Sequence, residues 1–182
     1  MLPCPFILPA ALLLDILAGD PPNRFHPVCL IGWCARRAEA LARRLWGGTF
    51  TAGTAAAFGT CAAAWLACAV FCLPFSVFPS PWIPWIPAVL VIYICMAPRG
   101  LAKHALRVAN ALRSGKDGEA RHAVSMIVGR DTERLDRHGM ARAAIESVAE
   151  NLTDGVFSTL FWATAGCLAG GPFGAAFAAL TH

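Results

Sequence analysis

Residues 125–163 read SMIVGRDTERLDRHGMARAAIESVAENLTDGVFSTLFWA, a stretch in which a polar, acid-rich helix runs directly into a strongly apolar one. Arg142, Glu146, Glu150 and Asp154 follow one another at intervals of four. Each such step drifts only about 40° around a helix axis, so the spacing predicts a slanting ladder of one cation and three acids that ends where the apolar run begins. Neighbouring carboxylates on such a ladder repel by about a few tenths of a kcal/mol per pair. A solvated helix face gains little from that arrangement, whereas a bound cation offsets it.

Composition settles the solvent. The 182 residues are 57% hydrophobic and 14% charged, more apolar than the roughly 45 to 50% of soluble domains. The chain reads as an all-α, polytopic membrane protein with about four transmembrane helices and a helical cytoplasmic loop domain. All 15 Lys and Arg fall in two segments, five between Arg24 and Arg44 and ten between Arg99 and Arg142. Basic residues clustered between apolar runs are the mark of cytoplasmic loops, so both segments are expected on the inner face of the plasma membrane, and no nucleic-acid partner is needed to explain the charge. The eight cysteines sit mostly among apolar neighbours and are read as small packing residues rather than ligands.

Spans are expected at about 3–19, 51–72 and 82–97, with an amphipathic segment at 30–46 carrying arginines toward the headgroups of the bilayer. Residues 1–98 form this N-terminal membrane region, 99–155 a cytoplasmic helical polar loop, and 156–180 a last span whose glycines suit close helix packing. Asp15 stands inside the first apolar run, where an acid is expensive, and is therefore a candidate functional group. Gly19, Pro21, Pro22 and Pro27 are expected to break the chain and hold Asp15, Asp20 and His26 in a compact loop. The spans at 51–72, 82–97 and 156–180 carry almost no ionisable groups, which counts against a transporter or channel. No phosphate-binding glycine loop or dinucleotide fingerprint is present.

Three stretches, LDILAGDPPNRFHPV at 14–28, VSMIVGRDT at 124–132 and RAAIESVAENLTDGVFSTLFWA at 142–163, together resemble the CobD/CbiB family of cobalamin biosynthesis. The resemblance implies an integral membrane adenosylcobinamide-phosphate synthase, a carbon–nitrogen ligase that uses ATP and Mg²⁺. It would join aminopropanol or its phosphate to the corrinoid adenosylcobyric acid, with other cobalamin-assembly proteins as partners. Two departures stand out. Thr159 occupies a position where the family usually has proline, and the chain stops at Thr181 and His182 where the family continues into an N-T-x-D-S-M stretch, which implies an N-terminal portion.

On that resemblance Asp15, Asp20, His26, Arg130 and Glu146 are candidate catalytic residues. Arg130, Asp131 and Asn151 are candidates for substrate binding, and Asp131, Glu150 and Asp154 for the metal. Carboxylates with phosphate oxygens suit Mg²⁺, an arginine suits a phosphoryl or propionate oxygen, and an imidazole can take a proton from an attacking amine. Structural alternatives stay open: Arg142 with Glu146 is an ordinary i,i+4 ion pair, Arg130 and Asp131 are also good turn residues, and His26 before Pro27 can serve as a loop hydrogen-bonder. The competing function is a non-catalytic membrane sensor or assembly scaffold of the same fold.

Overall fold

A computed structural model describes residues 4–21, 26–129 and 131–181. Helices account for its elements: α1 (Cys4–Ala18), α2 (Pro27–Trp46), α3 (Phe50–Ser76), α4 (Trp85–Cys95), α5 (Pro98–Arg113), α6 (Asp117–Ser125), α7 (Arg137–Asn151), a π-helical turn at Leu152–Phe157, and α8 (Ser158–Thr181). By length and composition, the stretches Phe50–Ser76, Trp85–Arg113 and Arg137–Thr181 are apolar enough to cross a membrane, with a shorter apolar helix at Phe6–Ala18. The all-α, polytopic membrane architecture expected from composition is the one observed.

Local signals place the boundaries. His26 accepts the Val28 N–H through Nδ1 and Pro27 takes the first helical position of α2, Thr49 accepts from Ala52 to start α3, and Asp136 accepts from Gly139 at 2.7 Å to start α7. The segment expected to lie in the interface at 30–46 is helical but is not alone there. Ala38 and Ala42 pack on Ala52 and Ala56, and Ala35, Glu39 and Arg43 face Gly53, Ala56 and Thr60 across a shared cleft. Helix α2 therefore runs antiparallel to α3, held by small side chains that let the two backbones approach.

The main apolar core joins Ile7 and Ala11 of α1, Cys68 and Cys72 of α3, Ala88, Ile92 and Met96 at α4, and Ala163, Cys167, Ala175, Ala176 and Ala179 of α8. Cys167 is disulfide-bonded, which corrects the reading of every cysteine as a simple packing residue. The other correction is topological. The stretch expected as the last span, 156–180, is not one straight helix, because the chain leaves helical geometry at Gly170 (φ −143°) and Gly171 (φ 62°), immediately before Pro172.

Gly171 takes a left-handed conformation that a side chain would strain. Beyond it the chain folds back, so that a Cβ on Gly166 would collide with the Gly174 carbonyl, and one on Gly174 with the Gly166 carbonyl. Eight residues along a straight helix are separated by about 12 Å, so this contact requires two antiparallel limbs. Residues 158–169 and 172–181 are then about 18 Å and 15 Å long, short of the ~30 Å hydrocarbon layer. Both ends confirm it: Cys95 borders one cleft with Gly155 and Val156 and another with Leu180.

The polar region has its own core, built from Val108 and Ala111 of α5, Ala120 and Val124 of α6, and Met140, Ala143 and Ala144 of α7. Apolar positions spaced by three and four on each helix supply it. This three-helix unit sits on the membrane core through α5 and the π turn, and the groove described next opens along that seam.

Candidate functional site

Helices α1 and α5 close each other's ends. Asp15, fully buried, accepts the Arg99 N–H through Oδ2 at 2.9 Å. The Arg99 guanidinium in turn donates to the Ile16 and Leu17 carbonyls at 2.9 and 3.1 Å. An acid at a helix N-terminus and a cation at a helix C-terminus both complement the unpaired backbone groups there. Tyr93 Oη donates to the Gly19 carbonyl, and the Asp20 carboxylate lies directly on Gly100, where a Cβ would collide with it. Asp15 thus lies within α1 rather than in the expected loop, and its observed contact is that of a helix cap. What the junction achieves is to fix Asp20 at the start of α5.

From Asp20 a groove runs along the seam. One cleft of about 430 Å³ is lined by Asp20, Gly100, His104, Asn151 and Gly155 among others. A second, also about 430 Å³, is lined by Glu146, Ser147, Glu150, Asn151 and Asp154, with Ile127 and Gly129 opposite. Ile127 and Asn151 belong to both clefts, so the two adjoin. Residues some 130 positions apart in sequence, Asp20 and the ladder acids, line adjoining clefts on either side of Asn151.

The ladder itself is modified. Arg142 Nε donates to Glu146 at 2.7 Å, the i,i+4 pair expected of a helix face. Beyond Asn151 the π turn winds the chain more slowly than an α-helix, so Asp154 falls short of a full turn from Glu150 instead of drifting past it. Such π segments recur at functional sites. Asn151 Nδ2 donates to the Ser147 carbonyl at 2.7 Å, and Ser147 Oγ donates to the Ile127 carbonyl at 2.5 Å. That relay ties the ladder to the turn that precedes residues 129–131.

Several expected site residues lie elsewhere. His26 caps α2 and does not line the groove. Arg130 lies outside the described residues. Asp131 is exposed, and its Oδ1 accepts the Glu133 N–H at 2.9 Å, so it is turn-forming and separate from the acidic cleft. Among the described residues, no three His, Cys, Asp or Glu side chains are grouped as a metal cage. The set Asp131, Glu150 and Asp154 is therefore not assembled. Glu150 and Asp154 on one cleft wall still suit an ion that arrives with phosphate oxygens and needs only one or two protein carboxylates.

The sequence reading missed three residues that shape the site. Ser147 has no local signature because its partner, the Ile127 carbonyl, is distant in sequence, and His104 has none because only the fold brings it to a cleft wall with Asp20 and Asn151. Arg121 is the third: its Nη1 donates to the Thr132, Glu133 and Leu135 carbonyls at 2.5, 2.8 and 2.9 Å. It holds the 131–136 segment against α6. Charge-assisted hydrogen bonds of this kind are worth about 1.5 to 3 kcal/mol. Arg121→Ala is expected to destabilise the polar unit by about that amount, with faster backbone amide exchange at 131–136 than in α5; unchanged exchange there would show that other contacts hold the segment.

The whole groove lies within the region of similarity to known proteins. Residues 8–181 match the family described as CobD/Cbib protein. The chain belongs to that family. Relatives named cobalamin biosynthesis protein CobD include that of Stutzerimonas stutzeri, 41% identical over 84% of this chain and 48% of its own length. That of Desulfotalea psychrophila is 39% identical over 85% of this chain and 47% of its own, and that of Brucella anthropi 38% over 90% and 52%. The chain spans about half the length of the curated CobD relatives it matches. No solved structure matches it.

Proposed function

We propose that this CobD/CbiB chain takes part in cobalamin biosynthesis, in the ATP-dependent formation of the amide that joins aminopropanol or its phosphate to adenosylcobyric acid. The observation that carries the reading is the single groove along which Asp20, Asn151, Glu150 and Asp154 converge. It sits on the seam between an apolar core and a basic helical unit, which we place at the cytoplasmic face of the plasma membrane, where ATP is available.

Amide formation from a carboxylate needs a better leaving group than oxide. Transfer of the terminal phosphoryl group of ATP to the propionate oxygen gives an acyl phosphate and ADP; the amine nitrogen then attacks the acyl carbon, phosphate departs, and the amine loses a proton. Mg²⁺, when bound, would neutralise phosphate charge, with Glu150 and Asp154 as its protein ligands. Asn151, oriented through Ser147, offers a neutral oxygen between the two clefts. Asp20, fixed by the Asp15–Arg99 junction and lining the cleft while His26 caps α2, is the residue we assign to take the amine proton. Asp15 and Arg99 then serve as positioning residues.

The test is ATP consumption by membranes carrying the chain, assayed beside the full-length Stutzerimonas stutzeri relative. ADP release is expected only when adenosylcobyric acid and aminopropanol phosphate are both present, together with the amide product. Corrinoid binding without any nucleotide dependence in either protein would overturn the ligase reading and favour a sensor or scaffold.

A further inference from the structure

The groove does not end at Asp20. His104 and Met126 are shared between the Asp20–Asn151 cleft and a third one, of about 520 Å³, formed where α5 meets α6. This third cleft has the opposite electrical character. Its polar lining is His104, Arg107, Asn110, Ser114, Lys116 and His122, with Glu119 as its acid.

Glu119 is engaged by Lys116 Nζ at 2.9 Å, and the neighbouring Asp117 by Arg137 Nε at 3.2 Å. Among the described residues, His104, Arg107 and His122 make no ion pair. Arg107 brings a fork of N–H donors, Asn110 an amide, Ser114 a hydroxyl, and the imidazoles further N–H groups. These approach from α5, from the 114–116 turn and from α6. A donor-rich, acceptor-poor cleft favours an anion with several acceptor oxygens facing different ways, and a phosphate meets that requirement better than a planar carboxylate.

We propose that the α5–α6 cleft around Arg107 and His122 is a phosphate-binding site at the far end of the groove from the Glu150–Asp154 acids. The ligand class is a phosphate ester, whether a soluble one or the headgroup of a lipid lying at the seam. The site rests on its own lining and charge balance and does not depend on the amidation reading. A ligand seated there with its phosphate on Arg107 would extend past His104 toward Asn151.

The experiment uses the full chain in neutral-lipid nanodiscs, with inorganic pyrophosphate as probe and a chelator present, so that the acidic cleft cannot recruit the anion through a divalent cation. Saturable binding by calorimetry is expected. Arg107→Gln and His122→Gln should each weaken it by about tenfold, the effect of removing one hydrogen bond to a charged group. Arg113→Gln removes the same charge from an exposed position on α5 outside the cleft and should change the Kd by less than about twofold, the scale of an exposed charge. Circular dichroism and thermal melting of each variant establish that it is folded.

A second series adds phosphatidylglycerol to the nanodiscs. Competition with pyrophosphate in the parent chain, absent in Arg107→Gln, would identify a lipid headgroup as the occupant; undiminished pyrophosphate binding would identify a soluble phosphate. Absence of saturable binding, or an Arg113→Gln effect equal to that of Arg107→Gln, would overturn the site, since the latter is what a diffuse basic surface produces.

Discussion

Gly174→Leu is expected to remove most of the folded chain from the membrane. At this position the Gly166 backbone carbonyl occupies the space a Cβ would need, and a backbone cannot swing aside as a flexible side chain can. The two limbs of α8 must part. Parting them uncovers Ala163, Cys167, Ala175, Ala176 and Ala179, all at most 4% exposed. Ordinary overpacking of a core costs about 1 to 3 kcal/mol; here the loss of a helix–helix contact adds to it, against a total stability of only about 5 to 15 kcal/mol. Gly170→Ala provides the comparison, because nothing lies within 4 Å of a Cβ there and its φ of −143° is open to any residue. Protease resistance and yield after membrane extraction should fall sharply for Gly174→Leu and little for Gly170→Ala. Equal behaviour of the two would mean that the limbs do not pack as described. Cysteines introduced at Ser158 and Thr181 should also label from the same side of a sealed vesicle, since both ends of α8 lie beside Cys95.

That hairpin shows where the sequence was legible and where it was not. The apolar run from Val156 to Leu180 is long enough to cross a bilayer, and length is a strong signal. The Gly170–Gly171–Pro172 triplet inside it is an equally plain break signal, and it prevails because the left-handed turn lets Gly166 meet Gly174. Apolar runs, basic clustering and helical spacing were sufficient for the all-helical membrane architecture, since those depend on local composition. Glu146, Glu150 and Asp154 could be picked out because they repeat at intervals of four, and Asn151 through the family resemblance; all four line one cleft.

Asp15 was harder. An acid in an apolar helix signals that something compensates its burial, but whether that is substrate or the Arg99 amide depends on a contact 84 positions away. Arg121 and Ser147 were invisible for the same reason, since each acts through a partner brought near only by tertiary structure, and His104 because only the fold sets it on a cleft wall with Asp20 and Asn151. The π turn also has no one-residue signature, so the angular position of Asp154 could not be read from spacing alone.

On the amidation proposed above, Glu150→Gln is the substitution with the largest expected effect on chemistry. Glu150 is exposed on the cleft wall, so the nearly isosteric glutamine disturbs no packing. Among the described residues Glu150 makes no ion pair, whereas Glu146 is held by Arg142. Glutamine keeps a neutral oxygen but loses the negative charge that a hard divalent cation favours. Turnover at ordinary Mg²⁺ is expected to fall by more than the ~10- to 100-fold seen when only a supporting partner of a metal ligand is lost. The folded chain, meanwhile, should gain slightly, because removing the middle carboxylate relieves like-charge repulsion of about a few tenths of a kcal/mol. The two measurements are initial rates across a Mg²⁺ series and thermal unfolding without Mg²⁺. A variant that is equally or more stable yet inactive would mark Glu150 as a residue held against stability for its chemistry. Full turnover would remove it from the metal site, and loss of the folded protein would return it to a structural role on α7.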